Sequence, residues 1–373
     1  MTPEQARALL AAPDLIEAAR ADDLRAGERL RKQWPADLVA AASAQAALRR
    51  AAAEKTDAAD GLLLTRDGLE QASGQRVARH RAARFAAAAS DVVIDLCCGV
   101  GFDLKAFADV AHAIGVDRDE THAICAAHNT GAAVAVADVR DVRLPRSAAV
   151  FVDPARRRGG IRGGYEPPLQ WCFDQHVDRM AVKAAPGLDL ALVPGGWEVE
   201  FVAEGRALKE ACLWSPAWAT AARRASVIHD GETVTMSEAA ARPVVAVAPP
   251  GSYLLDPSPA VTRSGLVAEL AAMLGAWQID PKIAFLAADH PLRSPFGRGL
   301  RVEASLPFSL KALAATLRDL DVGPVDLRRR GLAGDVEDIR RRLRTSGSRR
   351  AVVMLTRVVN MPWTLVCFDL DPA

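Results

Sequence analysis

The segment of residues 92–103 has the sequence Val92-Val93-Ile94-Asp95-Leu96-Cys97-Cys98-Gly99-Val100-Gly101-Phe102-Asp103. It begins with an apolar run typical of a buried strand and continues into a turn with two glycines. Because glycine has no Cβ, Gly99 and Gly101 allow the backbone to turn sharply and to approach a ligand closely. A helical stretch, residues 104–108, comes next. The sequence therefore predicts a strand, a ligand-binding turn and a helix in that order.

The same pattern continues over residues 90–245, where short apolar runs alternate with helical stretches. The predicted later strands are Ala113–Val116, Val134–Val136, Val150–Val152, and segments near 180–184, 198–203 and 225–229. Continuous apolar strands separated by helices are typical of a parallel sheet that is buried on both faces. Right-handed crossovers then give a doubly wound, Rossmann-like α/β sheet. A hairpin is expected at Gly205-Arg206.

The flanking regions differ in composition from this α/β domain. Residues 1–89 are rich in Ala, Leu, Arg and Glu and predict an N-terminal helical domain. Residues 246–299 contain Pro249-Pro250-Gly251 and further prolines, which predicts a linker or a segment wrapped on the surface. Residues 300–373 predict a small α+β domain. Its expected elements are a strand near 301–305, helices over 308–320 and 335–345, and strands over 351–356 and 364–369.

The overall composition sets limits on function. The 373 residues are 50% hydrophobic and carry 47 Lys and Arg against 46 Asp and Glu, a formal net charge of +1. This balance argues against binding to nucleic acid by bulk charge alone, so such a partner would need a local basic patch. No run approaches the ~20 apolar residues of a membrane span, and no signal peptide is visible. The six cysteines form no C-x-x-C pair, and the seven histidines are scattered. We therefore expect a cytoplasmic protein without a metal site.

Four aspartates follow the first four strands of the predicted sheet. Asp95, Asp117, Asp138 and Asp153 are separated by 22, 21 and 15 residues. The carboxyl ends of parallel strands meet at one edge of an open α/β sheet, and ligands bind in the crevice there. The sequence therefore predicts a pocket for a nucleoside-containing ligand.

The charges of this pocket favour a cationic ligand. A dinucleotide site would require a third glycine where Leu104 stands, and its pyrophosphate would meet Asp95 and Asp103. S-adenosylmethionine carries a sulfonium and an ammonium and has no phosphate. Asp95 suits its cationic end, Asp117 can accept both ribose hydroxyls, and Asp138 can accept the adenine amino group.

These residues resemble the motifs of class I S-adenosylmethionine-dependent methyltransferases. The matches are residues 95–101 to motif I, Gly115-Val116-Asp117-Arg118 to motif II, Ala137-Asp138-Val139 to motif III, and Val152-Asp153-Pro154-Ala155-Arg156 to motif IV. The resemblance implies S-adenosylmethionine as cofactor. The cofactor-binding residues it implies are Asp95, Cys97, Gly99, Gly101, Asp117, Arg118, Asp138 and Val139.

The whole chain is similar to a bacterial family that joins this methyltransferase to a C-terminal THUMP-like domain. The similarity lies in residues 153–157, in Gly251-Ser252-Tyr253-Leu254 and in residues 311–330. THUMP-related domains are associated with RNA-modifying enzymes, so the resemblance implies tRNA or rRNA as substrate. Residues 300–373 hold 13 Lys and Arg against nine Asp and Glu, and this surplus fits a domain that docks on RNA.

Motif IV leaves the acceptor atom open. Methyltransferases that act on amines carry an aromatic residue where this chain has Arg156, so Tyr165 or the Arg156 guanidinium would have to stack on the base. Catalytic roles are predicted for Asp153, Pro154 and Arg156, and substrate-binding roles for Arg157, Arg158 and Tyr165. The motif also resembles the Asp-Pro-Pro-Arg of uridine C5 methyltransferases, which need a cysteine nucleophile, for which Cys172 is the nearest candidate.

Three further interpretations stay open at this point. A small-molecule methyltransferase could use the C-terminal domain only for dimerisation. A non-catalytic RNA-binding or interaction protein could keep the fold without turnover. A nicotinamide oxidoreductase is disfavoured by the acidic residues around the first turn.

Overall fold

The computed structural model describes residues 1–21, 24–88, 90–156, 164–332 and 335–370. The chain divides into two compact units. The first comprises Met1–Val199 and Lys209–Thr220, and the second comprises Glu200–Leu208 and Ala221–Ala373.

The first unit begins with six helices. They are α1 (Pro3–Ala11), α2 (Pro13–Ala18), α3 (Leu24–Leu30), α4 (Ala36–Ala52), α5 (Arg66–Gln71) and α6 (Gln75–Ala87). Thr2 and Gln5 form a capping box at the start of α1, so two backbone N–H groups that the helix leaves free are satisfied. The helical prediction for this region is confirmed.

The helices share a core with the sheet that follows them. Buried Leu9, Val39 and Leu63 pack in one cluster with Val100 and Cys125 of the α/β region. The predicted boundary at residue 89 is therefore not a boundary between compact units.

The α/β part of the chain follows, and it lies in the first unit except for Glu200–Leu208, which belong to the second unit. Its elements are β1 (Val92–Leu96), α7 (Phe102–Ala108), β2 (His112–Asp117), α8 (Glu120–Thr130), β3 (Ala133–Val136), β4 (Ala149–Val152), β5 (Ala155–Arg156), β6 (Tyr165–Glu166), α9 (Leu169–Phe173), β7 (Arg179–Ala184), β8 (Glu198–Glu204) and β9 (Ala207–Trp214). Six strands stand in the order β9-β7-β4-β1-β2-β3. All neighbours pair in parallel except β7 and β9, which are antiparallel. The Rossmann-like fold class is confirmed, and so is the hairpin at Gly205-Arg206, since β8 and β9 are neighbours.

Aromatic rings fill the core beside β4. The ring centroids of Phe85 and Phe107 lie 4.7 Å apart, and those of Phe107 and Phe151 lie 5.3 Å apart. Trp214 and Trp218 join the same cluster. This packing stabilises the sheet whose edge carries the site.

The second unit contains the remaining elements. They are β10 (Arg223–His229), β11 (Glu232–Ser237), β12 (Tyr253–Pro257), α10 (Pro259–Ser264), α11 (Val267–Leu274), β13 (Trp277–Asp280), β14 (Ile283–Ala288), β15 (Gly297–Pro307), α12 (Leu310–Asp319), β16 (Val322–Arg329), α13 (Val336–Arg342), β17 (Arg349–Val358) and β18 (Met361–Asp369). Seven of the strands form a sheet in the order β13-β14-β12-β15-β18-β17-β16. The strands and helices predicted after residue 300 are found there, and β16 was not predicted.

The interpretation of residues 246–299 as a linker is wrong from Tyr253 onward. Strands β12, β13, β14 and the start of β15 belong to the same sheet as the C-terminal strands, and Leu254 and Leu255 are fully buried. The prolines mark the ends of elements instead: Pro257 ends β12 and Pro259 begins α10, where its missing N–H costs nothing. The boundary predicted at residue 245 also fails, because β10 and β11 lie in the second unit.

Within the described ranges, none of the helices has both the length and the apolarity that a membrane crossing requires.

Candidate functional site

A cavity of about 260 Å³ lies at the carboxyl edge of the parallel sheet. Three of the four predicted aspartates line it: Asp117, Asp138 and Asp153. Of the other predicted cofactor residues, it is lined by Cys97, Gly99, Arg118 and Val139. The strand register explains this convergence. Leu96 pairs with Val116 and Val152. The residues that follow them, Cys97, Asp117 and Asp153, therefore lie at the same level of the sheet edge.

The glycine turn needs left-handed backbone at three positions. Cys97, Gly99 and Gly101 have φ angles of 62°, 55° and 90°. Gly101 begins α7 and does not line the cavity, but a Cβ there would lie 3.0 Å from the Cα of Ala126. Glycine at this position therefore lets α7 pack closely against α8, while Gly99 brings the backbone to the ligand side.

Asp117 is held in place by the turn. Its two carboxylate oxygens accept hydrogen bonds from the N–H of Gly99, at 2.8 Å, and the N–H of Asp119, at 2.9 Å. Each oxygen keeps a further lone pair, because a carboxylate oxygen accepts about two hydrogen bonds. The arrangement suits a ribose diol, which offers two hydroxyl donors side by side.

Asp138 is fixed by a neighbouring arginine. Its oxygens accept from the backbone N–H of Arg140 at 3.0 Å and from the Arg140 guanidinium at 2.9 and 2.6 Å. These hydrogen bonds hold the pKa of Asp138 well below its ordinary value. Arg140 also lies 3.3 Å from a carboxylate oxygen of Glu166, which lines the same cavity. Asp138 is therefore a permanent acceptor on the adenine side of the predicted pocket.

Asp95 is not at the sheet edge, and that expectation was wrong. It pairs with Gly115 and Phe151, which precede Asp117 and Asp153 by two residues. Asp95 is therefore fully buried, below the level of the cavity. Neither of its carboxylate oxygens has a hydrogen-bond partner among the described residues. Burial, followed by the charges of Asp103 and Asp153, raises the pKa of Asp95 well above its ordinary value. A contact between Asp95 and the cofactor stays a prediction.

Asp153 directly follows β4 and forms an ion pair that the sequence did not predict. Its backbone N–H donates to the carbonyl of Leu96 at 3.1 Å. The Lys183 ammonium donates to Asp153 Oδ2 at 2.7 Å and to the hydroxyl of Ser73 at 2.9 Å. Burial disfavours the Lys183 ammonium, but Asp153, Asp103 and Glu210 outweigh burial and raise its pKa. Asp153 Oδ1 has no hydrogen-bond partner among the described side chains, so it can accept a hydrogen bond from the group that is to be methylated.

Comparison with known proteins identifies the chain. Over 311 residues it is 39% identical to a protein of Mycobacterium tuberculosis strain CDC 1551 that is named an uncharacterized S-adenosylmethionine-dependent methyltransferase. The match covers 79% of this chain and 85% of that protein, and a protein of strain H37Rv gives the same values. The chain belongs to the S-adenosylmethionine-dependent methyltransferases. It is an enzyme of this class, and S-adenosylmethionine is its cofactor.

Two further likenesses cover the fold. A crystal structure from Porphyromonas gingivalis W83, provisionally named a methyltransferase, superposes with a TM-score of 0.74 at 20% identity and covers 96% of this chain and 99% of that one. The family model of the THUMP domain-like family matches residues 297–368. The methyltransferase therefore ends in a THUMP-like region, as the sequence predicted.

The cavity of this methyltransferase fits its cofactor. Asp117 and Asp138 keep free acceptor positions, and the buried carboxyl of Asp95 lacks a hydrogen-bond partner among the described residues. Acidic side chains dominate the lining, so a sulfonium and an ammonium are favoured and a pyrophosphate is disfavoured.

A buried charge network stands behind the methyltransferase pocket and was missed from sequence. Asp103 lines the cavity, accepts from the Ser73 hydroxyl at 2.8 Å and pairs with Arg81. Arg81 is 1% exposed, pairs also with Glu210 and lies 4.5 Å above the Phe151 ring. A charged residue inside an apolar strand, Lys183 between Val182 and Ala184, was the one available signal for this network.

The N-terminal helices also reach the pocket. Asp67, Gly68, Gln71 and Ala72, in and just after α5, line the cavity. Thr65 Oγ1 lies 3.0 Å from His122 Nε2, which ties the start of α5 to α8. Nothing in the sequence placed these residues at the site, because only the shared core brings α5 to the sheet edge.

The structure describes only part of the predicted acceptor side. Pro154 follows Asp153, and Ala155, Glu166 and Pro167 line the cavity. Arg156 lies in the two-residue strand β5, paired with β6, and its side chain is outside the described set. Arg157 and Arg158 lie outside the described residues. Their substrate roles stay predictions.

Tyr165 is not brought to the cofactor cavity. It is buried, its hydroxyl accepts a hydrogen bond from the Ala185 N–H at 2.9 Å, and it lines a separate cavity with Leu192. The ring is therefore committed to packing, and its predicted stacking on a base has no support from this position.

The cysteines near the pocket hold protonated thiols. Burial raises the pKa of Cys172 to about 12, and burial followed by the charge of Asp117 raises the pKa of Cys97 further. Cys97 lines the cavity and Cys172 does not. Among the described residues, no group of three His, Cys, Asp or Glu side chains is arranged to hold a metal ion.

Proposed function

We propose that the protein methylates a base of RNA, either tRNA or rRNA, and that the acceptor is a nitrogen oriented by Asp153. The observation that carries the proposal is the position of Asp153, which lines the cofactor cavity. One of its oxygens accepts from Lys183, and the other has no hydrogen-bond partner among the described residues. An amine N–H can donate to this free oxygen and so direct its lone pair toward the methyl group.

The chain's main task in this reaction is alignment. The bound cofactor supplies a methyl group that is already activated by the sulfonium. Asp117 and Asp138 hold the nucleoside part, and Asp153 holds the acceptor. Positioning two reactants in this way can contribute about 7–11 kcal/mol. Asp153 can also take the proton that leaves the methylated nitrogen.

A carbon acceptor has less support. Methylation of uridine C5 requires a thiolate nucleophile. Burial raises the pKa of Cys172, which keeps it protonated, and it does not line the cavity. Cys97 lines the cavity, but burial and Asp117 raise its pKa as well. Nitrogen therefore fits the described side chains better than carbon.

RNA as the substrate rests on the C-terminal region. The THUMP-like match covers residues 297–368. Within it, Arg342, Arg344 and Arg350 are exposed and make no ion pair among the described residues. Such arginines are free to contact phosphates, which position an RNA without reading its sequence.

The proposal is tested with a labelled methyl donor. The protein is incubated with S-adenosylmethionine labelled in the methyl group and with total bacterial RNA or RNase-treated extract. We expect the wild type to label RNA and Asp153→Asn to lose this labelling or to show it strongly reduced. The control is Asp91→Asn, at an exposed aspartate just before the start of β1, and its labelling of RNA should be unchanged. Mass spectrometry of the digested nucleosides should find the methyl group on nitrogen.

Other outcomes contradict the proposal. Label only in small molecules would indicate a small-molecule methyltransferase. No label in either fraction, with cofactor binding intact, would indicate an RNA-binding or interaction protein without turnover. A C5-methylated pyrimidine would overturn the assignment of the acceptor atom.

A further inference from the structure

A second cavity, of about 380 Å³, lies within the second unit and is lined by arginines. They are Arg206, in the turn before β9, Arg298 of β15, Arg328 of β16 and Arg330, which follows β16. We call this cavity the arginine cleft. Four guanidinium groups from separate parts of the chain converge here, and only one of the four, Arg206, lies far from the THUMP-like match at residues 297–368.

The carboxylates that contact these arginines are fewer than the arginines. Asp326 is shared: it lies 2.8 Å from Arg298 and 3.0 Å from Arg328. Asp369 also pairs with Arg298. Asp256 is shared as well, at 2.9 Å from Arg330 and 3.7 Å from Arg206. Three carboxylates therefore face four guanidinium groups among the described residues.

Arg206 carries the least compensated charge of the four. Its distance of 3.7 Å to Asp256 is the longest ion pair in the cleft, and Arg330 competes for the same carboxylate. Burial, followed by the charges of Arg328 and Arg298, lowers the pKa of Arg206. The arginine stays protonated all the same, because a guanidinium does not deprotonate in proteins. Among the described residues, the carboxylate paired with Arg206 is thus 3.7 Å away and is shared with Arg330, which lies closer to it.

We propose that the arginine cleft binds a phosphate group. A guanidinium presents a planar set of N–H donors that matches two phosphate oxygens at once, and arginine clusters are the usual protein partner of phosphate. Asp256 and Asp326 each pair with two arginines. A bound phosphate would supply these arginines with further hydrogen-bond acceptors and further negative charge. The phosphate can belong to an RNA chain or to a free nucleotide. The proposal does not depend on RNA being the methyl acceptor.

The test measures binding to the full-length protein. Three probes are used: a fluorescent single-stranded RNA, adenosine monophosphate and inorganic phosphate. The variants are Arg206→Glu and, as the matched control, Arg301→Glu, which removes an exposed arginine of β15 outside the cleft. We expect Arg206→Glu to lower the affinity for at least one probe by about tenfold or more. Arg301→Glu should leave the affinity for that probe nearly unchanged. Arg206→Gln, measured with a thermal unfolding curve, controls for the fold.

The pattern across probes distinguishes the sources of the phosphate. If Arg206→Glu loses RNA binding, and the slope of its log affinity against log salt concentration is smaller by about one, the cleft is assigned to an RNA backbone. Loss for adenosine monophosphate or inorganic phosphate alone assigns it to a small phosphate ligand. Equal affinities of wild type and Arg206→Glu for all three probes, equal losses in both glutamate variants, or no binding by the wild type would overturn the proposal.

The methylation assay separates this proposal from the proposed function. If the protein methylates RNA and Arg206→Glu binds every probe as the wild type does, the cleft proposal fails alone. If no RNA is methylated while phosphate binding still depends on Arg206, the RNA substrate fails and the phosphate site stands.

Discussion

The cofactor cavity of the first unit and the arginine cleft of the second carry opposite charges. Among the described residues, six aspartates and one glutamate line the cofactor cavity against one arginine, Arg118. The arginine cleft is lined there by four arginines and one carboxylate, Asp256. The formal net charge of +1 conceals this contrast, because it sums the charged residues of the whole chain. Local electrostatic fields select ligands, and overall charge does not report them.

The two sites also stabilise their charges by different means. In the cofactor cavity, backbone N–H groups hold Asp117, and Lys183 holds Asp153. In the cleft, Asp326 and Asp256 are each divided between two arginines. The first site has preorganised acceptors with spare lone pairs, and the second has donors in excess of their acceptors. Each is thereby complementary to a ligand of the opposite charge.

The largest expected effect is on the acidic side. Asp153→Ala removes the free acceptor at the cavity, so we expect methyl transfer to fall by about 10²–10³-fold, within the range of general acid–base groups. Cofactor affinity should change little, because Asp117 and Asp138 are untouched. Single-turnover transfer and calorimetric titration with the cofactor measure the two quantities. Wild-type transfer rates in Asp153→Ala would remove Asp153 from the chemistry.

The buried network gives the largest expected effect on stability. Arg81→Ala leaves Asp103 and Glu210 buried without their cation, which typically costs about 3–5 kcal/mol. Arg79→Ala, an exposed position on the same helix, should change stability by less than about 0.5 kcal/mol. Urea unfolding measures both. Equal effects in the two variants would contradict the structural role of Arg81.

Loss of Asp117 tests the nucleoside side of the acidic cavity. Asp117→Ala removes a charged acceptor for the ribose hydroxyls and leaves the N–H groups of Gly99 and Asp119 without their acceptor. We expect a loss of about 1.5–3 kcal/mol in cofactor binding, which is roughly 10- to 150-fold. Asp109→Ala, at an exposed carboxylate after α7, is the matched control. Unchanged affinity in Asp117→Ala would mean that the cofactor lies elsewhere.

The smallest expected effect is the pH response of Asp138. Hydrogen bonds from Arg140 lower its pKa in the folded protein, so its carboxylate contributes stability above the pKa of the unfolded chain, near pH 4. That contribution is lost as the pH falls below this value, because the folded protein must then take up a proton against these bonds. Below pH 4, the free energy of unfolding of Asp138→Asn should therefore fall slightly less steeply with decreasing pH than that of the wild type. Identical acid unfolding curves would contradict it.

The prediction of the fold from sequence succeeded where periodicity was strong. The apolar runs of residues 92–94, 113–116 and 150–152 lie within strands β1, β2 and β4, and the glycine turn follows the first of them. The prediction failed over residues 246–299, where prolines at the ends of short elements resembled a linker. Local composition cannot report that β12 pairs with β14 and β15, since those partners are distant in the chain.

The site was predicted in outline and incompletely. Asp117, Asp138 and Asp153 meet at one cavity, as their spacing suggested, but Asp95 lies two residues inside the sheet. Lys183 was missed because an ion pair across 30 residues leaves no local pattern. The residues of α5 were missed because they reach the pocket through core packing.

The sequence by itself determined the glycine turn, the aspartates after successive strands and the resemblance to methyltransferases with a THUMP-like C-terminal region. These features are local, because they depend on the residue types within one strand and the turn after it. Only the tertiary structure decided which acids reach the cavity, which cation pairs with Asp153 and where four arginines converge. Those facts depend on strand register and on packing between distant segments, and no short stretch of the chain encodes them.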